Sequence, residues 1–369
     1  METVLTNGVS TLPDLPIDQS LYRTIDLLES LGSAKAALAR LHGRSAVIPN
    51  QGILINTISL QEAKLSSEIE NIFTTDDELY KAYSDNTTDQ NGASKEVLRY
   101  REALWSGHHH IRSNEALNID YFIKIVQEIK QSDLGIRPDF VPTVIKQGGT
   151  GPNAGKTIYT PPRGVNIIES KLLNLIEFLN DDEKYPIDPI TKMAIGHFQF
   201  EAIHPFRDGN GRTGRILNIN YLTLKNQIDY PILFLSRYIQ NNKEDYYSAL
   251  AGVSQRGSWS TWLLFMYRAV SSTANLTFDK INEITASKDS IFQHLQDYKT
   301  DFKKLELLVE YIFKQPFTKV NHLTNDRVYA EKTARDYLNE LAEIGVLEKM
   351  EISGKHYYKN IELHRILSE

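Results

Sequence analysis

A chain of 369 residues with 41% apolar and 10% aromatic content has material for two or three packed domains, and a formal charge of −6 excludes a general attraction to nucleic acid. The absence of cysteine excludes a disulfide framework and any thiolate metal site, and fits a reducing compartment. No segment offers the ~18 apolar residues that span a bilayer, and METVLTNGVSTLPDLP has no basic region followed by an apolar run, so the expectation is a cytoplasmic globular protein with no membrane partner.

In chain order, a Pro-rich lead (TLPDLP) and LYRTIDLLESLGSAKAALARLHG read as a helical arm over 1–57. SLQEAKLSSEIENIFTT follows as an amphipathic helix whose apolar stripe is Leu65, Ile69, Ile72 and Phe73. Thr87 to Ser94 is a polar loop, and KEVLRYREALWSG restarts the helical period. Three consecutive histidines, His108 to His110, point in different directions on a helix and so predict packing rather than a shared metal.

Between Phe140 and Pro162, FVPTVIKQGGTGPNAGKTIYTPP predicts a β-hairpin in a helical protein. ESKLLNLIEFLND and ITKMAIGHFQFEAI are helices, the second apolar on nearly every side and therefore central. Helical patterns continue through RILNINYLTLKN, KEDYYSALAGV, WSTWLLFMYRAV and the stretch ending at Tyr298. From residue 299 a small domain begins, with three helices marked by Leu308, Leu323 and Leu338 and a hairpin about Ser353-Gly354, the order of a winged helix. From Asp301 onward 11 Lys or Arg stand against 12 Asp or Glu, so protein contact or a homodimer is a better use of it than DNA.

The chemistry concentrates in HPFRDGNGRTGR, His204 to Arg215. Pro205 must end the central helix, which leaves His204 at its end. Gly209 and Gly211 permit a tight turn into a new helix starting near Arg212, whose free N–H groups form an anion site that suits phosphate. Asp208 can hold Mg²⁺ beside phosphate oxygens. Arg212 and Arg215 share a helix face as phosphate clamps. His204 is the group suited to taking a proton near neutral pH. Together they point to phosphoryl or nucleotidyl transfer.

This stretch matches HPFx(D/E)GNGRxxR in full and resembles the Fic family, or Fido fold; FQFEAIHPFRDGNGRTGRILN, PILFLSRYI, EDYYSAL and the pair Trp259 and Trp262 agree with it over Ser59 to Val270. The resemblance implies a mainly α-helical core over 58–298 that transfers AMP from ATP to a Ser, Thr or Tyr hydroxyl of protein substrates. It implies His204 as general base, Asp208 as Mg²⁺ ligand, and nucleotide binding by Gly209, Asn210, Gly211, Arg212, Thr213, Gly214 and Arg215, the last on the γ-phosphate. Phe206 would anchor the loop. Lys156, Thr157, Ile158 and Tyr159 resemble the family's flap, which pairs an extended target as an added strand. Tyr246 and Tyr247 resemble the tyrosines bordering the adenosine, with a core or surface place the alternative for at least one of them.

Ser66, Glu70 and Asn71 resemble the inhibitory motif (S/T)xxxE(G/N). The resemblance implies that Glu70 pairs with Arg215 in a bidentate contact and denies it to the γ-phosphate. The resemblance also leaves removal of AMP by the same site open as a second activity. The alternatives are a related enzyme transferring another phosphate-linked group and a nucleotide-sensing winged-helix transcription regulator.

Overall fold

The computed structural model describes residues 12–46, 51–85, 92–138, 140–141, 143–146, 157–164, 166–298, 302–325, 327–352 and 354–369. Its helices before the hairpin are α1 (Ile25–Ala46), α2 (Gln51–Ile69), α3 (Asp76–Asp85), α4 (Ala93–Asn114) and α5 (Ile119–Lys130). The hairpin is β1 (Ile145–Lys146) and β2 (Thr157–Tyr159), antiparallel, with Ile145 opposite Tyr159. Then come α6 (Ile167–Asn180), α7 (Pro189–Ile203), α8 (Asn210–Leu224), α9 (Leu235–Asn241), α10 (Lys243–Arg256) and α11 (Trp259–Tyr298). The C-terminal part holds α12 (Leu305–Phe313), β3 (Phe317–Thr318), α13 (Val320–Thr324), α14 (Glu331–Glu343), β4 (Leu347–Ile352), β5 (Lys355–Asn360) and α15 (Ile361–Ser368).

The centre is α7, in which every residue except Pro189 and Glu201 is buried. Asp188 caps it by accepting from the Ile190 amide at 2.9 Å, and Pro189 sits at the first turn, where a missing N–H costs nothing. Packed against α7 is α8, also buried along nearly its whole length, with α6 and α11 closing the other sides. These two helices meet end to end at the His204 loop. Phe206 fixes that loop: it is fully buried, 6.3 Å from Phe200, whose ring stacks on Phe122 of α5 at 5.2 Å.

Two elements depart from the sequence reading. The amphipathic helix begins at Gln51, earlier than expected, and runs unbroken past residue 57. It ends at Ile69, so Ile72 and Phe73 lie beyond it and Phe73 is 63% exposed. The last two helical patterns of the core merge into one 40-residue helix, α11, along which α1 lies. After it, the three helices and the β4–β5 hairpin occur as expected, with β3 added so that the strand order is β3-β5-β4.

The C-terminal part docks on α3. Asp85, at the end of that helix, accepts from Lys319 Nζ at 2.7 Å, Lys355 Nζ at 2.9 Å and the Tyr357 hydroxyl at 2.8 Å. Burial works against it, yet these three donors hold its carboxyl down at about 2.

Candidate active site

The site is assembled where the last turn of α7 passes into the first turn of α8. His204 takes the left-handed conformation at φ 50 as the C-cap of α7, and its amide closes on Phe200 O at 2.9 Å. Gly209, at φ 84, is the N-cap of α8, and a Cβ there would lie 3.1 Å from Val126. The helix starts at Asn210, two residues earlier than expected. The Asn210 amide group is spent on the loop: its oxygen accepts from the Phe206 N–H at 2.9 Å and its nitrogen donates to Phe206 O at 2.8 Å. Asn210 therefore staples the turn, and only its backbone N–H is left to face an anion.

The free N–H groups of that first turn belong to Asn210, Gly211 and Arg212. Thr213 and Gly214, expected among the nucleotide-binding residues, lie behind it. The Thr213 N–H already donates to Gly209 O at 3.0 Å, and its side chain is fully buried. Gly214 is small for another reason: a Cβ would meet Glu201 Oε1 at 2.5 Å and the His197 ring at 3.2 Å.

A carboxylate already sits over this helix end. Glu70 Oε1 would be 2.5 Å from a Cβ on Gly211 and is 2.8 Å from Arg215 Nη2. Glu70 is positioned by the way α2 stops. The Ile72 N–H returns to Ser67 O and the Asn71 N–H to Glu68 O, both at 3.0 Å, with Asn71 left-handed at φ 62. This is the paired closure of a Schellman turn, in which asparagine or glycine is favoured at the left-handed residue. Lys243 Nζ donates to Ile69 O at 2.6 Å and completes the cap.

The contact differs from the expected bidentate pair. Arg215, 2% exposed, divides its fork: Nε donates to Ser66 Oγ at 2.8 Å, and Nη2 donates to Ser66 O at 3.0 Å and to Glu70 Oε1 at 2.8 Å. Ser66 stands on the helix one turn before Glu70, so its hydroxyl takes the donor that a second carboxylate oxygen would have used. Burial pushes the Glu70 carboxyl up, but the Arg215 charge and bond, with help from Arg212 and Lys243, hold it below its ordinary value.

Burial, and secondarily the Arg137 charge, lower the His204 imidazole to about 4. It is therefore neutral at pH 7 and able to accept a proton. Asp208 is mostly exposed and paired with Lys130 Nζ at 2.5 Å, while its other oxygen accepts from the Gly209 N–H at 2.6 Å. Arg212 Nη1 lies 3.2 Å from Glu96 Oε1 on α4. Lys130, Glu96 and Lys243 come from elements far apart in sequence, and nothing local marks them as partners of the motif.

The two tyrosines separate. Tyr246 is buried, with its hydroxyl donating to His197 Nε2 at 2.7 Å while His197 Nδ1 faces Gly214 O at 3.2 Å. It takes the core place that was the alternative for one of the pair. Tyr247 is 43% exposed and packs edge-on against Tyr246 at 5.2 Å. In the hairpin, Thr157 is exposed and Ile158 and Tyr159 half-buried, while Lys156 lies outside the described residues. His108 packs by Thr223 and Tyr230, and among the described residues no three acids or histidines are grouped as a metal-ligand set.

A mainly helical core in which α7 turns at His204 into α8, with the Glu70 carboxylate against the first turn of α8, has the Fic fold. Residues 28–109 match the Fic/DOC family N-terminal region and 116–222 the Fic/DOC family itself, together more than half of the chain; 286–363 match the "Protein adenylyltransferase SoFic-like, C-terminal domain". The chain belongs to the Fic/DOC family.

Among similar proteins, it is 34% identical over 92 residues to protein adenylyltransferase fic-1 of Caenorhabditis elegans, covering 25% of this chain and 17% of that protein. It is 35% identical over 92 residues to a probable protein adenylyltransferase of Aquifex aeolicus (strain VF5), 25% of either chain. The chain thus spans a quarter or less of those relatives. A crystal structure of a Fic family protein from Desulfovibrio desulfuricans G20 shares the fold, with a TM-score of 0.54 at 18% identity over 95% of this chain and 98% of that one. No helix among the described residues is long and apolar enough to cross a membrane.

Proposed function

We propose that this chain is a self-inhibited protein adenylyltransferase. The observation that carries the reading is the Glu70 carboxylate lying against Gly211 and Arg215, where the first turn of α8 offers its free N–H groups. A site that holds one anion so closely is suited to phosphate oxygens once that anion leaves. In the reaction proposed, a Ser, Thr or Tyr hydroxyl oxygen attacks the α-phosphorus of ATP, the bond to the bridging α–β oxygen breaks, and pyrophosphate departs. The hydroxyl proton passes to the neutral His204 imidazole.

Arg212 and the α8 amides bind the phosphates, and Arg215 takes the γ-phosphate after Glu70 withdraws. Tyr247 borders the adenosine, and Thr157 to Tyr159 offer their backbone to an extended protein substrate. Asp208 fits Mg²⁺ as one exposed carboxylate beside the phosphate site, because this ion takes most of its ligands from phosphates and water. When bound, the ion supplies neutralisation of phosphate charge.

The reading is tested by incubating the purified chain and cell lysate with ATP labelled at the α- or the γ-phosphate. Label transferred from the α position alone supports it. Transfer from the γ position would replace it with phosphorylation, and transfer undiminished in His204→Ala would remove the histidine from the mechanism.

A further inference from the structure

Arg137 lies just before the hairpin and is 1% exposed. Its Nε donates to His204 O at 2.8 Å, and its Nη2 donates to Pro162 O at 2.6 Å and to Ile203 O at 3.3 Å. Its own backbone N–H donates to Pro205 O at 2.8 Å. One residue thus grips three consecutive carbonyls of the His204 turn and, with the same guanidinium, the end of the segment that follows β2.

Each half of that grip has a physical reason. The last carbonyls of α7 have no partner within the helix, and the turn after it cannot close them because Pro205 lacks an N–H. A cation there also meets the negative end of the α7 dipole. The fork geometry of arginine reaches two backbone segments at once, which a single ammonium does not reproduce. Burying a guanidinium is costly, and charge-assisted hydrogen bonds to oriented carbonyls offset that cost. From Tyr159 at the end of β2 to Pro162 is three residues, so the strand edge is held to the His204 turn through one side chain.

We propose that Arg137 is a positioning residue, fastening the base of the hairpin to the backbone of His204 so that the docked target strand and the proton-accepting imidazole are set as one unit. This rests on the transferase reading for its consequence. It does not concern ATP, whose cradle is built by α8. Loss of the grip therefore acts on turnover and leaves nucleotide affinity in place. A misplacement of the base by about an ångström is expected to slow turnover by roughly a hundredfold.

The test uses the full chain carrying Glu70→Gly as parent, with Arg137→Lys and Arg137→Gln added. Three measurements are made: ATP affinity by calorimetry, kcat for transfer to the chain itself or to a lysate target, and amide hydrogen exchange. Both variants should bind ATP within about twofold of the parent, Gln should lower kcat by roughly a hundredfold, and Lys, which keeps charge without the fork, should fall between. Exchange should accelerate together at residues 157–160 and 204–207, with α8 unchanged. Folded variants with parental kcat, or exchange that rises at only one of the two segments, would overturn the proposal. A parent that transfers no AMP would instead sink the transferase reading, while the exchange data still decide whether the two segments move as one.

Discussion

At the residue scale, identical letters in the motif do different physical jobs. Gly209 is needed for its backbone angle, Gly211 for the closeness of Glu70, and Gly214 for the closeness of Glu201. The tyrosine pair divides in the same way, Tyr246 buried in the core and Tyr247 exposed beside it. Tyr246→Phe removes a hydroxyl bonded to buried His197, leaving an imidazole nitrogen without a partner. We expect a loss of about 1–3 kcal/mol in unfolding free energy, read by urea titration, with ATP affinity unchanged. Unaltered stability would show that the bond contributes nothing. His204→Ala, by contrast, should leave ATP binding near wild type while abolishing transfer, measured by calorimetry and α-label incorporation on one folded preparation, because the phosphate cradle uses other groups. A loss of ATP affinity in that variant would place His204 in the cradle instead.

At the element scale, the closure of α2 is what aims Glu70. The left-handed Asn71 and the Lys243 bond to Ile69 O fix where the helix ends, and the carboxylate projects from that end onto α8. Lys243→Ala should loosen this cap and raise basal label transfer by a few-fold, well short of the effect of removing Glu70 itself; unchanged basal transfer would mean the turn holds without it. Much of this was legible in advance. Pro205 after an apolar helix, the glycines, and Ser66 four residues before Glu70 each carry a local signature. What escaped was set by distance in sequence: Arg137, Lys130 and Glu96 meet the motif only after folding, and no periodicity marks them. The division of Arg215 between Ser66 and Glu70 also required coordinates, because spacing alone does not say which donor meets which acceptor.

At the scale of the whole molecule, the C-terminal part grips α3 through Asp85 and, at the other end, through His364 at 3.1 Å from Asp77. The same helix binds α2, since Asp76 accepts from Lys64 at 2.8 Å and Gln61 at 3.1 Å. Buried ionisable groups give the fold a definite pH profile. His108 and His204, lowered to about 4, and His197, lowered to about 3, contribute stability that is complete above the ordinary 6.5 and lost as pH falls through those values. Glu62 and Glu201, raised to about 7, act oppositely: their contribution is complete below 4.5 and lost as pH rises through about 7. Three histidines outweigh two glutamates between pH 4.5 and 6.5, so the urea midpoint should fall gently as pH drops across that window and steeply below 4.5. A midpoint falling as steeply between pH 6.5 and 4.5 as below it would mean that the two glutamates stay ionised. The proposed inhibition by Glu70 is tested by α-label incorporation in Glu70→Gly, Glu70→Ala and Glu70→Gly with Arg215→Ala, each first shown to be folded. We expect incorporation to rise by roughly an order of magnitude or more in the first two and to return to the wild-type level in the third, because Arg215 is the group that Glu70 releases. Folded Glu70 variants that label no faster than the wild type would contradict the account.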